Sequence, residues 1–144
     1  MRVEISQVID RPVADVFHFF AHDHVRNHPR WDPDMHLEQA SEGPMGVGTI
    51  IRRRHTHSGT SGTPVEGTME VVEYEPDRAF GTVIRDGPVE MHGRVKFEAE
   101  GQDRTTMTMN LEILGMDEAT DTSLLTSQME RSARNVKHLV ESEV

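Results

Sequence analysis

The chain has 144 residues, 35% of them hydrophobic and 28% charged, with a formal charge of −10 and no cysteine. That balance describes one globular domain spanning residues 1–144, long enough to bury roughly two-thirds of its unfolded surface, and not a disordered segment. The acidic excess argues against nucleic acid or an anionic membrane as the main partner, and the missing cysteines exclude disulfides and thiolate metal sites.

Met1 to Ser6 enters strand-like alternation directly, with no apolar signal segment ahead of it. No run approaches the roughly 18 apolar residues of a membrane span. A cytoplasmic protein without membrane insertion is therefore expected. Arg2 to Ile9 reads as the first strand, with Val3, Ile5 and Ile9 in period two. Asp10-Arg11-Pro12 then marks a helix start, because proline suits the first helical position. Val13, Val16, Phe17 and Phe20 follow at helical spacing, so Pro12 to Ala21 is expected as a short amphipathic helix. Asp23 is placed to cap a second short helix that ends before Pro29.

From Met35 the period changes. Turn signals at Gly43-Pro44, Ser58 to Gly62, Pro76-Asp77, Asp86-Gly87-Pro88 and Gly101-Gln102-Asp103 separate six strand-like runs. These fall near Met35–Ala40, Gly48–His57, Val65–Glu73, Arg78–Arg85, Val89–Glu98 and Thr105–Leu114, in the order of an antiparallel meander. Two alternate cleanly. Met91, Gly93, Val95 and Phe97 share one face with Val89, and Met107, Met109, Leu111 and Ile113 share one face of the next run. Met69 and Val71, and Phe80, Thr82 and Ile84, are the corresponding inner residues of two more. Leu124 to Val140 then returns to helical spacing, with Leu125, Met129, Ala133, Val136, Leu139 and Val140 on one stripe and Glu130, Arg131, Arg134, Lys137 and Glu141 opposite. A helix stripe and a sheet face that both need cover imply a helix lying across a curved sheet.

This order, with Arg11-Pro12, Val16-Phe17, Asn27-His28-Pro29-Arg30-Trp31-Asp32-Pro33, Glu73-Tyr74-Glu75-Pro76 and the closing helix, resembles the START-like, or SRPBCC, superfamily, nearest its polyketide cyclase/dehydrase-like branch. The resemblance implies an α+β helix-grip fold: about seven antiparallel strands curved around a long C-terminal helix, with two short helices after strand 1. It also implies a hydrophobic small molecule, lipid- or polyketide-like, held between sheet and helix. Some members of the superfamily are carriers, some are enzymes and some bind chaperones. Asp117 to Ser123 departs from the pattern, being polar where the family's helix has usually begun, so a late helix start is expected.

The residues expected to face a ligand are Met69, Val71, Phe80, Thr82, Met91, Val95, Met107, Met109, Met129 and Ala133. Methionine adapts its shape and recurs on surfaces that take varied apolar ligands. Arg52-Arg53-Arg54-His55-Thr56-His57 admits two readings. In one it is a solvated strand end whose arginines pair with Glu66 or Glu70. In the other Ile51 points inward, carrying Arg53 and His55 with it as polar anchors for a ligand oxygen. An inward arginine needs an acid or an anionic ligand. Arg53, His55 and Tyr74 are the candidates for catalysis should the protein be a cyclase or dehydratase; otherwise Tyr74, like Trp31, packs where helix meets sheet. His18, His22, His24 and His28 are expected at the surface without a metal, since no His-Glu-x-x-His motif accompanies them. Glu90 and His92 fall opposite Met91 and Gly93, hence outside. Ser58 to Thr63 lacks the ending of a phosphate loop and is expected as a hairpin tip able to cover a cavity. No cofactor is implied, and nothing in the sequence sets an oligomeric state. A chaperone-interacting module is the reading from a different class.

Overall fold

The computed structural model describes residues 1–56, 64–117 and 121–143. The chain runs β1 (Arg2–Ile9), α1 (Val13–Phe17), a π-helical turn (His18–His22), α2 (His24–Trp31), β2 (Met35–Gln39), β3 (Ile50–His55), β4 (Val65–Glu75), β5 (Ala79–Asp86), β6 (Val89–Ala99), β7 (Thr105–Ile113) and α3 (Ser123–Glu143). The seven strands form one antiparallel sheet in the order β1-β7-β6-β5-β4-β3-β2. The chain is a meander from β2 to β7, and β1 closes onto the last strand. This is the α+β helix-grip arrangement. The tip Ser58–Thr63 and part of the Asp117–Ser123 stretch lie outside the described residues.

Period-two alternation sets the register, because a one-residue slip would turn every apolar side chain to water. Ile51, Met69, Ile84, Met91 and Ile113 line up across five strands as one inner row. The next row is Thr82, Gly93, Leu111 and Val3, and the one after it Phe80, Val95, Met109 and Ile5. The β4–β5 register shifts between Val71 and Glu73, a bulge that leaves Val72 exposed and increases local twist.

The last helix lays Leu125, Ala133, Val136 and Val140 onto this face. Its second half is tied down at several points. Asp10 N donates to Glu141 Oε2 at 2.8 Å, Lys137 Nζ to the Val8 carbonyl at 3.1 Å, and Asn135 Nδ2 to the Trp31 carbonyl at 3.0 Å. Asp121 Oδ1 caps its start, accepting from Ser123 N and Oγ.

The N-terminal helices depart from expectation in two ways. Pro12 sits just outside α1, and after Phe17 the helix widens into a π turn, closed by Asp23 N donating to the His18 carbonyl at 3.0 Å. The wider turn buries Phe19, Phe20 and Ala21 together, which a regular helix with a 100° step would splay apart. The second helix does not stop before Pro29 but carries it inside and ends at Trp31. One ladder bond is lost there, yet Asn27 N still donates to Asp23 and Asp32 N to His28. Burial of His24, Asn27 and Trp31 on one face offsets that loss.

Gly67 on β4 tests the tightness of this sheet. A β-carbon there would lie 2.1 Å from the Arg85 carbonyl and 2.2 Å from Asp86 Oδ1, so Gly67→Ala is expected to destabilise the fold by about 3 kcal/mol. Urea unfolding measures it; a change within 0.5 kcal/mol, the scatter of about 0.5 kcal/mol usual for surface positions, would contradict the close approach.

Candidate functional site

The short helices and α3 divide the sheet face between them. Phe17 meets Phe97 and Tyr74 edge-on at 5.3 Å each, and Phe20 meets Phe80 at 6.2 Å and Phe97 at 5.8 Å. Aromatic rings thus fill one end. Beyond Phe20, under the first half of α3, a cavity of about 180 Å³ remains. Its floor includes Met69, Phe80, Thr82, Ile84, Met91, Val95, Met109 and Leu111, and its roof Leu125, Gln128, Met129 and Ser132. Gly93 lies in the middle of the floor, where a β-carbon would stand 3.1 Å from Thr82 Oγ1. The missing side chain is part of the space.

Most of the residues expected to face a ligand border this space. Val71, Met107 and Ala133 do not; they belong to a buried core cluster with Phe17, Phe97 and Val136. Tyr74 also lies off the cavity. Its ring packs edge-on against Phe17 and Phe80, and burial, with Asp23 nearby, raises its hydroxyl above the ordinary range.

One end of the cavity is polar. Ile51 points inward, so Arg53 and His55 do as well, while Arg52 and Arg54 face water. The strand-end reading fails for Arg53: its partner is neither Glu66 nor Glu70 but Asp86, with Nη1 3.6 Å from Oδ2 and side chains only 9% and 5% exposed. Arg52 is solvated, 3.8 Å from Glu38. Gly67, opposite Arg53 in the ladder, leaves the gap through which the Asp86 carboxylate reaches across β4. Arg53 Nε and Asp86 Oδ1 are buried and have no hydrogen-bond partner among the described residues. Burial pulls the Arg53 guanidinium below its usual range, opposed by the carboxylates of Asp86 and Asp32. His55 Nε2 donates to Asp32 Oδ2 at 2.9 Å.

Two histidines expected at the surface are here instead. His24 and His28 border the cavity, His24 almost fully buried. The end of the π turn explains them. Helix ends leave carbonyls without partners, and two of these are taken by side chains of α2: Asn27 Nδ2 donates to the Phe19 carbonyl at 2.9 Å and His24 Nδ1 to the Phe20 carbonyl at 2.8 Å. His28 Nδ1 lies 2.9 Å from His24 Nε2, and its ring stacks on Trp31. Desolvation pushes His24 down to about 4, outweighing its bond to Phe20, with Arg53 adding to the shift.

Sequence periodicity missed His24, His28, Asp32 and Asp86. Asp86 had a signal, since continuing Phe80, Thr82 and Ile84 by two residues turns it inward. His24, Asn27, His28 and Trp31 are spaced as a helical stripe too, but three of the four are polar. His18 and His22 are exposed, their rings stacked at 4.3 Å beside Asp23. His92 and Glu90 are on the outer face, 3.1 Å apart.

The family model for polyketide cyclase / dehydrase and lipid transport proteins matches residues 1–141, and the chain belongs to that family. A START superfamily protein from Mycobacterium smegmatis shares the fold at TM-score 0.79 and 12% identity, over 99% of both chains. The Zhui aromatase/cyclase from Streptomyces sp. R1128 does so at TM-score 0.72 and 17% identity, over 99% of this chain and 92% of that one. DynU16, from the dynemicin biosynthetic locus, matches at TM-score 0.70 and 17% identity over 98% of this chain, which spans 47% of DynU16. No curated protein matches the sequence significantly. No helix among the described residues is long and apolar enough to cross a membrane.

Two outcomes follow from the polar end. Asp86→Leu strands a buried guanidinium and is expected to cost about 3–5 kcal/mol, much of it recovered in the double variant Arg53→Met/Asp86→Leu. Thermal and urea unfolding of both variants check this, and a double variant as unstable as the single would refute the pairing. For His24 the unfolded chain binds more protons than the folded one between the ordinary 6.5 and about 4. Stability is therefore lost as pH falls through that window, by about 3 kcal/mol in all. Subtracting the acid profile of His24→Phe from that of the native protein isolates the contribution, and parallel profiles would show that His24 is charged in the fold.

Proposed function

We propose that the protein binds a hydrophobic small molecule between α3 and the centre of the sheet. The observation that carries this reading is the pairing of an apolar cavity with a buried, incompletely partnered guanidinium at its end. A filled core gains by closing such a space, since a void forfeits dispersion contacts on its lining. A donor such as Arg53 Nε, out of water and without an acceptor, costs about 1–3 kcal/mol unless something supplies one. Both costs are removed by a ligand with an apolar body and an oxygen. The flexible walls at Met69, Met91, Met109 and Met129 suit a rigid guest, because methionine re-packs at little cost. A dry cavity of about 150 Å³ already takes benzene, so about 180 Å³ takes a body of roughly one or two rings.

Membership of the polyketide cyclase / dehydrase and lipid transport family supports the class of ligand. A second reading, an enzyme of the cyclase or dehydratase type, is favoured by the fold shared with the Zhui aromatase/cyclase and by Arg53 and His55 at the cavity. There Arg53 would hold an enolate oxygen, and His55, oriented by Asp32, would move a proton. Tyr74 has no part in either reading.

Native mass spectrometry of freshly purified protein, together with titration by the neutral dye 1-aminoanthracene, tests the proposal. A retained mass or micromolar dye binding is expected. Gly93→Val, which puts two methyl groups into the space, should weaken dye binding about tenfold or more. Dye binding indifferent to that substitution, or no retained mass and no dye binding, would refute the cavity as the site. Recovery of the bound compound unchanged after incubation separates a binder from an enzyme.

A further inference from the structure

Two hydrogen bonds decide which nitrogen of each buried histidine holds a proton. A backbone carbonyl only accepts, so His24 Nδ1, 2.8 Å from the Phe20 oxygen, is protonated. A neutral His24 then has a bare Nε2, which accepts from His28 Nδ1 at 2.9 Å. With its proton committed to that bond, a neutral His28 has a bare Nε2 as well. That atom makes no hydrogen bond among the described residues, and His28 borders the cavity. Desolvation holds His28 well below the ordinary imidazole range, reinforced by His24, Arg53 and His55. Its free nitrogen is an acceptor.

Among the described residues, no positive charge at this end of the cavity is left over for a ligand. Arg53 faces Asp86 at 3.6 Å, and Asp32 faces His55 at 2.9 Å. Arg94, whose residue also borders the cavity, has its side chain on the outer face, bonded to Glu73 at 2.8 and 3.2 Å. The sum over Arg53, Asp86, Asp32 and His55 is zero with His55 protonated and −1 with it neutral, and it is never positive. A carboxylate entering here would be an uncompensated buried anion, which is costly. Of the two partners expected for an inward arginine, an acid or an anionic ligand, Asp86 supplies the acid. Among the described residues, Arg53 Nε and Asp86 Oδ1 are buried without a hydrogen-bond partner, and His28 Nε2, at the same end, makes no hydrogen bond.

Resting on the binding reading above, we infer that the ligand is an uncharged hydroxy-carbonyl compound, whose carbonyl oxygen accepts from Arg53 Nε and whose hydroxyl donates to His28 Nε2. Carboxylic acids and fully alkylated ketones are disfavoured, the first by charge and the second by leaving His28 without a donor.

Trp31, the sole tryptophan, reports on the site, since its ring stacks on His28 at 5.0 Å and on Phe20 at 4.7 Å. Its emission is followed while the native protein is titrated with 1-tetralone, with 5-, 6- and 7-hydroxy-1-tetralone, and with the methyl ethers and carboxylic acids at the same ring positions. At least one hydroxytetralone is expected to bind about tenfold tighter than its methyl ether and than 1-tetralone, with every carboxylate weaker than 1-tetralone. Calorimetry on His28→Phe, which keeps a stacked ring, should level the hydroxy and methoxy compounds. Equal binding of ethers and hydroxytetralones, or a carboxylate as the tightest compound, would overturn the inference and leave the binding reading standing. A hydroxyl preference that survives His28→Phe would move the acceptor to Asp86 and overturn the role of His28. The comparison among ligands needs no variant, so it decides the matter even if His28→Phe fails to fold. No binding by any compound, with no retained mass in the native protein, would count against the binding reading itself.

Discussion

The candidate site depends on a charged pair inside the sheet, Arg53 on β3 reaching Asp86 on β5. The two strands are not neighbours; β4 runs between them. The pair exists because β4 carries Gly67 at the crossing, where any side chain would occupy the space of the Asp86 carboxylate. Such a pair contributes little net stability, because removing two charges from water costs about what their attraction returns. Its effect is on composition. It keeps this end of the inner face polar and leaves donor and acceptor atoms free to meet something else.

The aromatic packing that covers much of the remaining inner face also begins as a backbone problem. Where the π turn gives way to α2, two carbonyls need donors, and His24 and Asn27 provide them from four and eight residues further along. That requirement buries both side chains and stacks His28 on Trp31 at the cavity edge. The phenylalanines of the same turn share one core cluster with Val71, Met107 and Ala133. Among the described residues, the cavity opens where those rings stop and the glycine at position 93 interrupts the floor. The cavity is thus a consequence of how far a five-residue π turn reaches across a sheet.

Legibility in the sequence followed the range of the forces involved. All seven strands, the last helix and its stripe were readable, because burying one side of a strand or helix imposes a period that shows in the chain itself. The inward direction of Met69, Met91 and Met109 came from the same period. The helix after Pro29 was not readable, since local proline chemistry predicts a stop and burial of Trp31 overrides it. Nor were His24 and His28, polar residues that a hydrophobic period passes over.

What the sequence determined by itself, then, is the alternation of each strand, the amphipathic last helix and hence the sheet-and-helix architecture with its family. What the tertiary structure decided is which polar side chains share the cavity: Arg53 with Asp86 across an intervening glycine, His55 with Asp32, and His28 behind His24. Those partners are 33, 23 and 4 residues apart in the chain (86 − 53, 55 − 32 and 28 − 24). The first two separations follow no repeating pattern, and the third is a helical step made by polar residues that a hydrophobic period passes over. Partner choice among buried polar groups depends on where strands and helices come to rest against one another, which periodicity within a single element does not encode.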